Sequence, residues 1–533
     1  MREALLSIDV GTASLRAALV NTKGKILAKN IQKLKLWQTS GIMEQSSDDI
    51  YGCLVNSIRK LIEQYHQPVS IKGIGIDATA SQVLLNHDLE PLHLPGNPEA
   101  NILGWMDHRS QPQSLIINKQ FESASGRNAP AKQIPEMCLS KMLWLKQEQP
   151  ELWSQCGLIL DLYDFITWKL TGVITRTPCS KVTCEPKEIL KALNINNPEL
   201  RRGELLSPCS PVPGGLSNAS AEATGLPAGT TVATGMVDGL GGSLAALGPI
   251  HPEKDNSSLE SRLSMVVGTS TIYVASSRSA RTIEGVWGPM PSALEGFYHN
   301  IVGQSAAGAL IEHLLTSHPS YAKALNESKK NHKSIYSYLN TVLKNMAGDT
   351  HKLSLLTYDI HLLPYFAGNR CPRMDMSLKG MMTGLSLDQS IDSLALTYLA
   401  CIQAIALEAR HNIERLTQNG YCFSELRPCG GLAKNTLFVQ EHVNITGIRA
   451  KMPQEPDCML LAGALLSSVA CGTYASLEEA IQAMSQQKET LYPDTSLAAY
   501  CDKKYRIYLE LYEDQKKYNR MMSGEFRNRK GLT

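Results

Sequence analysis

Hydrophobic positions near the start of the chain fall in short bursts. Apolar runs at residues 5–10, 15–20 and 25–28 are separated by Gly11-Thr12-Ala13-Ser14 and by Asn21-Thr22-Lys23-Gly24. Runs of this length broken by glycine-bearing turns predict a three-strand antiparallel meander. Ser47-Asp48-Asp49 then precedes Ile50, Leu54, Ile58, Leu61 and Ile62 at helical spacing, and Pro68 follows. That pattern predicts a helix whose N-cap lies in the Ser-Asp-Asp triplet. Residues 71–76 read as the next strand, ending in Asp77-Ala78-Thr79. Helical patterns cover residues 136–147, with Met137, Lys141, Leu143 and Leu145 set against a polar face, and residues 163–170, stopped by Thr171-Gly172. Residues 232–237 read as a short buried strand that ends at Asp238 and the glycine-rich Gly239-Leu240-Gly241-Gly242-Ser243.

The second half repeats this grammar. Residues 264–274 form another apolar run, glycine-hydroxyl turn (Gly268-Thr269-Ser270) and apolar run. Leu426-Arg427-Pro428-Cys429 leads into Gly430-Gly431-Leu432-Ala433-Lys434-Asn435, a helix through Val443, a strand at 448–452 and a helix at 457–469. The polar stretch 251–261 is the best linker, and the charged, tyrosine-rich residues 500–529 read as a terminal helix and tail. No close sequence repeat relates the halves; only the element order recurs. Strand, strand, strand, helix, strand is the order of ribonuclease-H-like nucleotide-binding halves. A chain of 533 residues also exceeds what one hydrophobic core usually serves. Two α/β domains follow, residues 1–250 and 251–533.

Composition narrows the partners. The 52 Lys and Arg nearly balance 50 Asp and Glu, and the signs are interspersed, which argues against nucleic acid and anionic membrane. The 13 cysteines are scattered without C-x-x-C spacing, so they read as thiols of a reducing compartment. Cys179 and Cys184 are the closest pair, and no second Cys/His pair accompanies them as zinc would require. The start of the chain runs straight into a strand, and the longest apolar stretch, 459–471, is short and serine-interrupted. These features predict a soluble cytoplasmic protein.

The chemistry concentrates at the turns. A tight glycine turn leaves backbone N–H groups facing outward as an anion cradle. Two such turns, Gly11-Thr12 and Gly268-Thr269, suggest a nucleotide's phosphates clamped between two similar domains. Asp9 is either a plain strand-end acid or, beside a phosphate cradle, the holder of Mg²⁺ through water; Arg16 then neutralises transferring oxygens. Asp238 is either a helix N-cap or a general base that accepts the proton of an alcohol receiving a phosphoryl group. Gly430-Gly431, with Ala433 and Asn435, is either a simple turn or a flat surface for adenine. Trp105-Met106-Asp107-His108-Arg109 is either a salt-bridged turn or a set of partners for polyol hydroxyls. His108 is the weaker base candidate, since nothing near it in sequence orients it. Neither a G-x-x-x-x-G-K-[ST] loop nor a G-x-G-x-x-G after a strand is present.

Taken together these segments resemble the FGGY family of carbohydrate kinases, in particular its pentulose-kinase branch, from about Leu5 to about Gly472. Further matches are Glu44-Gln45-Ser46-Ser47, Gly285-Val286-Trp287-Gly288-Pro289, Gly303-Gln304-Ser305, Gly368-Asn369-Arg370 and residues 380–404. The resemblance implies two actin-like ATPase domains of the ribonuclease-H-like kind, with the active site in a closing cleft. The first half would bind sugar and the second nucleotide. It implies ATP and Mg²⁺ as cofactors, a sugar substrate and a possible homodimer. Asp238 matches the catalytic aspartate; Asp9, Gly11, Thr12 and Arg16 the first phosphate and metal loop; Gly268 and Thr269 the second loop. Gly308, Gly431 and Asn435 match positions lining the nucleotide, while Asp77, Ala78, Thr79, Asp107 and Arg109 fall where the family meets its sugar. Two departures concern the substrate: Thr79-Ala80-Ser81 stands where relatives often carry Thr-Cys-Ser, and no Lys-Trp pair follows Cys179. The implied reaction is phosphorylation of a terminal hydroxyl of a pentulose, with D-ribulose foremost. L-ribulose, D-xylulose, ribitol and glycerol are neighbouring acceptors, and a nucleotide-gated binding protein of the actin kind is the rival class.

Overall fold

The meander forms as predicted in the computed structural model, which describes residues 2–39, 41–122, 132–178, 187–195, 197–250 and 259–522. Strands β1 (Arg2–Val10), β2 (Ser14–Asn21) and β3 (Ile26–Lys33) pair antiparallel in sequence order. From Ala4 to Val10 every residue of β1 is buried, because the strand is central and covered on both faces, hence its unbroken apolar run. Helix α1 (Ser47–Gln64) is capped one residue earlier than the triplet suggests: the Ser46 hydroxyl accepts from the Asp49 amide. Ser47 is already helical, and its own amide donates to the Asn101 side chain at 2.9 Å. Strand β4 (Val69–Ala78) returns parallel to β1.

Helix α2 (Cys138–Glu148) has no polar face over its first eight residues. Every residue from Cys138 to Leu145 is buried, Lys141 included. The Lys141 ammonium donates to the Gly104 carbonyl at 2.6 Å, which lets a charge sit inside. Helix α3 (Leu162–Thr171) ends where expected, at Gly172 in the left-handed region. The run 232–237 divides into β5 (Thr231–Val232) and β6 (Met236–Val237), both parallel to β4. Between them Gly235 passes close to Tyr163, where a Cβ would lie 2.9 Å from that side chain. Asp238 opens helix α4 (Asp238–Ala246) as its first residue, so Val237 holds the cap position. The sheet order is β5–β4–β1–β2–β3, with β6 also against β4.

The second half builds the same sheet again. Strands β7 (Arg262–Val267) and β8 (Thr271–Ser277) form the expected hairpin; β9 (Trp287–Pro291) and β10 (Tyr298–Gln304) extend it antiparallel. Helices α5 (Gly308–Thr316), α6 (Ile335–Ala347) and α7 (Ile391–Thr417) follow. Helix α7 is long and apolar enough to cross a membrane, yet 78% of its apolar window is buried inside the protein. Strand β11 (Glu425–Cys429) runs parallel to β7, helix α8 (Thr436–Thr446) leads to β12 (Arg449–Pro453), and α9 (Cys458–Ala470) to β13 (Gln487–Leu491). The order β9–β10–β8–β7–β11–β12–β13 contains the first sheet's plan strand for strand. A last helix, α10 (Ala498–Met521), packs tyrosines against α7 and the strand His361–Leu363.

The halves interlock through two helices. Helix α9 comes from the second half, but Leu460, Leu461, Ala464 and Leu465 belong to the same core as Leu6, Ile8, Ile74 and Ile76. Gly75 of β4 and Gly463 of α9 approach so closely that a Cβ on Gly75 would lie 1.8 Å from the Gly463 carbonyl oxygen. Helix α4 is gripped from the other side: its Ser243 carbonyl accepts from the Ser264 hydroxyl at 2.9 Å and its Gly242 carbonyl from the Cys429 thiol at 3.5 Å. No disulfide forms among the described residues. The linker expected at 251–261 falls largely on residues 251–258, and the pair Cys179 and Cys184 on 179–186; both lie outside the described residues.

Candidate active site

A cavity of about 2300 Å³ is lined by residues of both halves, and the two glycine turns face it. In the β1–β2 turn the Gly11 amide donates to the Ser14 carbonyl at 3.0 Å; in the β7–β8 turn the Gly268 amide donates to the Ser270 carbonyl at 2.8 Å. The second turn rests on the start of α5. Amides of Ala307 and Gly308 donate to the Thr269 and Gly268 carbonyls at 2.8 and 3.0 Å, and a Cβ on Gly308 would sit 2.6 Å from the Gly268 oxygen. A Cβ on Gly268, by contrast, would meet nothing within 4 Å. The space beside that turn is therefore open to a ligand, which is what an anion cradle requires.

Behind the first turn runs a row of charges set by strand register. Asp9 is the cross-strand partner of Arg16 on one side and of Asp77 on the other. Both carboxylates are fully buried, and neither lines the cavity; Arg16 does, with its guanidinium paired to Asp9. Asp9 pairs with Arg16 and hydrogen-bonds with the adjoining Asp77 carboxyl, and among the described residues no other donor reaches the four carboxylate oxygens. Burial raises the Asp9 carboxyl against the pull of Arg16, and burial with the adjoining Asp9 charge pushes Asp77 well up. Two carboxylates so placed cannot both stay ionised without a further positive charge. Asp238, projecting from the first turn of α4, adds to the charge felt by Asp77. It lines the cavity, and its Oδ1 accepts from the Gly239 amide at 2.6 Å.

The cavity wall includes Thr79, Ala80, Trp105 and Met106; Val237, which precedes Asp238, pairs with Ala78, which precedes Thr79. The Trp105 indole N–H donates to the Thr12 hydroxyl at 3.0 Å, tying this wall to the first turn. Asp107 and Arg109 do not line the cavity. The buried Asp107 carboxylate accepts from the Met43 amide at 2.9 Å and from Arg109, and Arg109 also pairs with Glu44 at 2.6 Å. The salt-bridged reading of that pentad describes these two residues; Trp105 and Met106 are what reaches the cleft. Ala78 and Asp77 likewise lie under the surface that Thr79 presents. His108 does have an orienting partner, Glu136, at 3.2 Å, far away in sequence.

The same cavity is also lined by Gly308, Gly431 and Asn435. A Cβ on Gly431 would meet nothing within 4 Å, so this surface is flat. The Asn435 amide donates to the Tyr398 hydroxyl at 2.6 Å and accepts from Asn340 at 2.8 Å. Tyr336 of α6 stacks on Tyr398 with ring centres 5.9 Å apart and itself lines the cavity. Asp457, just before α9, holds Lys29 of β3 at 2.8 Å and Lys434.

Sequence reasoning missed a cluster over the Trp105 wall. Glu136 pairs with Arg370 at 2.7 Å and accepts from the Ser305 hydroxyl at 2.8 Å. The Arg370 guanidinium lies 5.5 Å from the Trp105 ring and 5.3 Å from that of Trp287. Burial alone would raise the Glu136 carboxyl; Arg370, His108 and Ser305 outweigh it and hold it at about 2. Arg370, Ser305 and Trp287 all sit in segments that carried the family resemblance; Glu136 gave no signal beyond opening a helical pattern. Lys187, the described lysine nearest the missing Lys-Trp pair, is exposed at the start of the helix Lys187–Ala192 and away from the cavity.

Descriptions of the FGGY family of carbohydrate kinases match both halves, the N-terminal domain over residues 4–248 and the C-terminal domain over residues 263–471. An FGGY carbohydrate kinase domain-containing protein of Xenopus laevis is 36% identical over 540 residues, which is 97% of this chain and 98% of its own. The D-ribulokinase of Saccharomyces cerevisiae is 28% identical over 519 residues, 87% of this chain and 71% of its own. A solved structure of gluconate kinase from Lactobacillus acidophilus matches with a TM-score of 0.78 at 19% identity, over 98% of this chain and 100% of that one. The fold is thus a pair of actin-like ATPase domains.

Proposed function

Since the chain belongs to the FGGY family of carbohydrate kinases, we propose that this sugar kinase moves the γ-phosphoryl group of ATP to a terminal hydroxyl of a pentulose, making D-ribulose 5-phosphate from D-ribulose. The observation that carries the reading is Asp238, the carboxylate at the start of α4, in the wall of a cavity bounded by two glycine turns. The likeness to a D-ribulokinase supports the choice of sugar.

The roles follow from the chemistry. Gly11, Thr12, Gly268 and Thr269 cradle the phosphates, and Gly308, Gly431 and Asn435 line the base and ribose. Thr79 and the Trp105 wall meet the sugar, with Asp77 and Ala78 shaping the surface from below. Asp238 accepts the proton of the attacking hydroxyl as the oxygen–phosphorus bond forms and ADP leaves. Arg16 stabilises charge on the transferring oxygens, the main task in a reaction that depends on positioning and electrostatics. Walls from both halves exclude water that would compete with the sugar. The Asp9 carboxylate, buried behind the first turn and paired with Arg16, could act on a divalent cation at the phosphates only through water. Asp9 would hold magnesium through water. When bound, magnesium supplies neutralising charge to the β- and γ-phosphoryl groups.

An assay of ADP release over D-ribulose, L-ribulose, D-xylulose, ribitol and glycerol tests the substrate, with D-ribulose expected to give the highest kcat/KM. Asp238→Asn is expected to lower kcat by at least about two orders of magnitude with ATP binding nearly unchanged. Wild-type turnover in that variant would remove Asp238 from the mechanism, and a better acceptor in the panel would replace D-ribulose.

A further inference from the structure

Arg370 is only 3% exposed, yet it lines the cavity at the Trp105 wall. A guanidinium carries five N–H donors. Among the described residues it pairs with Glu136, at 2.7 Å from Nη2, and feels the charge of the buried Glu408, while its Nε has no acceptor aligned for a hydrogen bond. A buried donor without an acceptor costs about 1–3 kcal/mol, so such a group in a cavity wall is one whose acceptors arrive with a ligand. Its orientation is fixed beforehand. Trp105 comes from the first half and Trp287 from the second, both within 5.5 Å of the guanidinium. Glu136 is held in turn by His108 at 3.2 Å and Ser305 at 2.8 Å. The Glu136 carboxylate offsets the guanidinium charge while leaving N–H donors for a ligand.

We infer that Arg370 binds the acceptor sugar directly, donating to a hydroxyl or keto oxygen, and that Glu136 positions it and balances its charge so that uncharged acceptors are chosen over aldonates. This rests on the reading that the acceptor lies beside Asp238 and the Trp105 wall. It adds a second-half residue to a sugar pocket otherwise drawn from the first half. Binding of the acceptor then bridges the two halves at the same point where Glu136 and Arg370 already do.

Steady-state kinetics of Arg370→Gln, Arg370→Lys and Glu136→Gln test it. Arg370→Gln is expected to raise KM for the sugar at least tenfold while KM for ATP stays within twofold of wild type. Should that variant fail to fold, Arg370→Lys keeps the charge but not the planar fork, and the same split is expected at fivefold or more. Glu136→Gln leaves the guanidinium charge unbalanced and is expected to raise the aldonate-to-pentulose ratio of kcat/KM at least tenfold. An unchanged sugar KM in the Arg370 variants, or equal rises for sugar and ATP, overturns direct binding. An unmoved ratio in Glu136→Gln overturns its positioning role. If the wild type prefers a neutral polyol to every pentulose, the proposed substrate falls and Arg370 is judged on that polyol. If its best acceptor is an aldonate, the inference falls while the kinase assignment stands.

Discussion

Glycine is informative at the residue scale because its missing Cβ either makes room for the protein or makes room for something else. At Gly268 nothing of the protein lies within 4 Å of the missing atom, and the backbone is not in the left-handed region. Alanine there is expected to leave the melting temperature within about 1 °C of wild type, since it adds no clash and no strain. The same methyl intrudes on the phosphate cradle, so KM for ATP is expected to rise about tenfold, about 1.4 kcal/mol. A thermal scan with an ATP titration checks both, and an unchanged KM would show that the turn holds no phosphate. The residues legible in the sequence were of this local kind: Gly11, Gly268 and Asp238 sit at run ends, where the pattern itself marks a turn. Asp107 and Arg109 were legible as a salt-bridged pair, but Arg109's second partner, Glu44, was not, because it is 65 residues from Arg109 and no spacing rule connects them. Arg370 and Glu136 meet across the two halves, still further apart in sequence.

At the scale of elements, Gly75 gives the opposite case from Gly268. It lies within β4 where α9 crosses, and the missing Cβ would collide with backbone, the Gly463 carbonyl, rather than with a side chain able to move. Gly75→Ala is expected to cost about 3 kcal/mol, at the upper end for overpacking, read as a lower denaturant midpoint with an unchanged slope. A loss below about 0.5 kcal/mol would mean that the two elements do not pack this closely. Helix α1 was readable from its helical period, and the meander, β4 and the second hairpin from unbroken apolar runs that end at turn residues. The polar face expected for α2 was absent because tertiary packing covers all sides of the helix and Lys141 finds a carbonyl inside. Helix α9 was visible as an apolar segment, but a helix that is apolar all round does not say which sheet it will meet.

At the scale of the whole molecule, the recurring element order correctly announced two sheets of one plan, and that plan hides how far the halves share a core. Helix α9 closes the first sheet from the second half, and α4 leaves the first sheet to pack on β7 and β11. The general base proposed at Asp238 therefore stands on a helix that is gripped by both halves, while the acceptor wall below it belongs to the first. A fragment of residues 1–250 would leave bare the face of β1 and β4 on which α9 lies, the side of Ser7, Gly73 and Gly75. Burial of a leucine such as Leu460, Leu461 or Leu465 is worth about 1.5–3 kcal/mol, so what the three contribute together is comparable with the ~5–15 kcal/mol by which domains are usually stable. Expressed alone, 1–250 is expected to aggregate or to bind a hydrophobic dye without a cooperative thermal transition, and co-expression with 251–533 is expected to restore a soluble, ATP-binding complex. A monomeric 1–250 fragment with a sharp transition of its own would show that α9 is a cover rather than a structural part of the first sheet, and that lobe motion need not carry α9 with it.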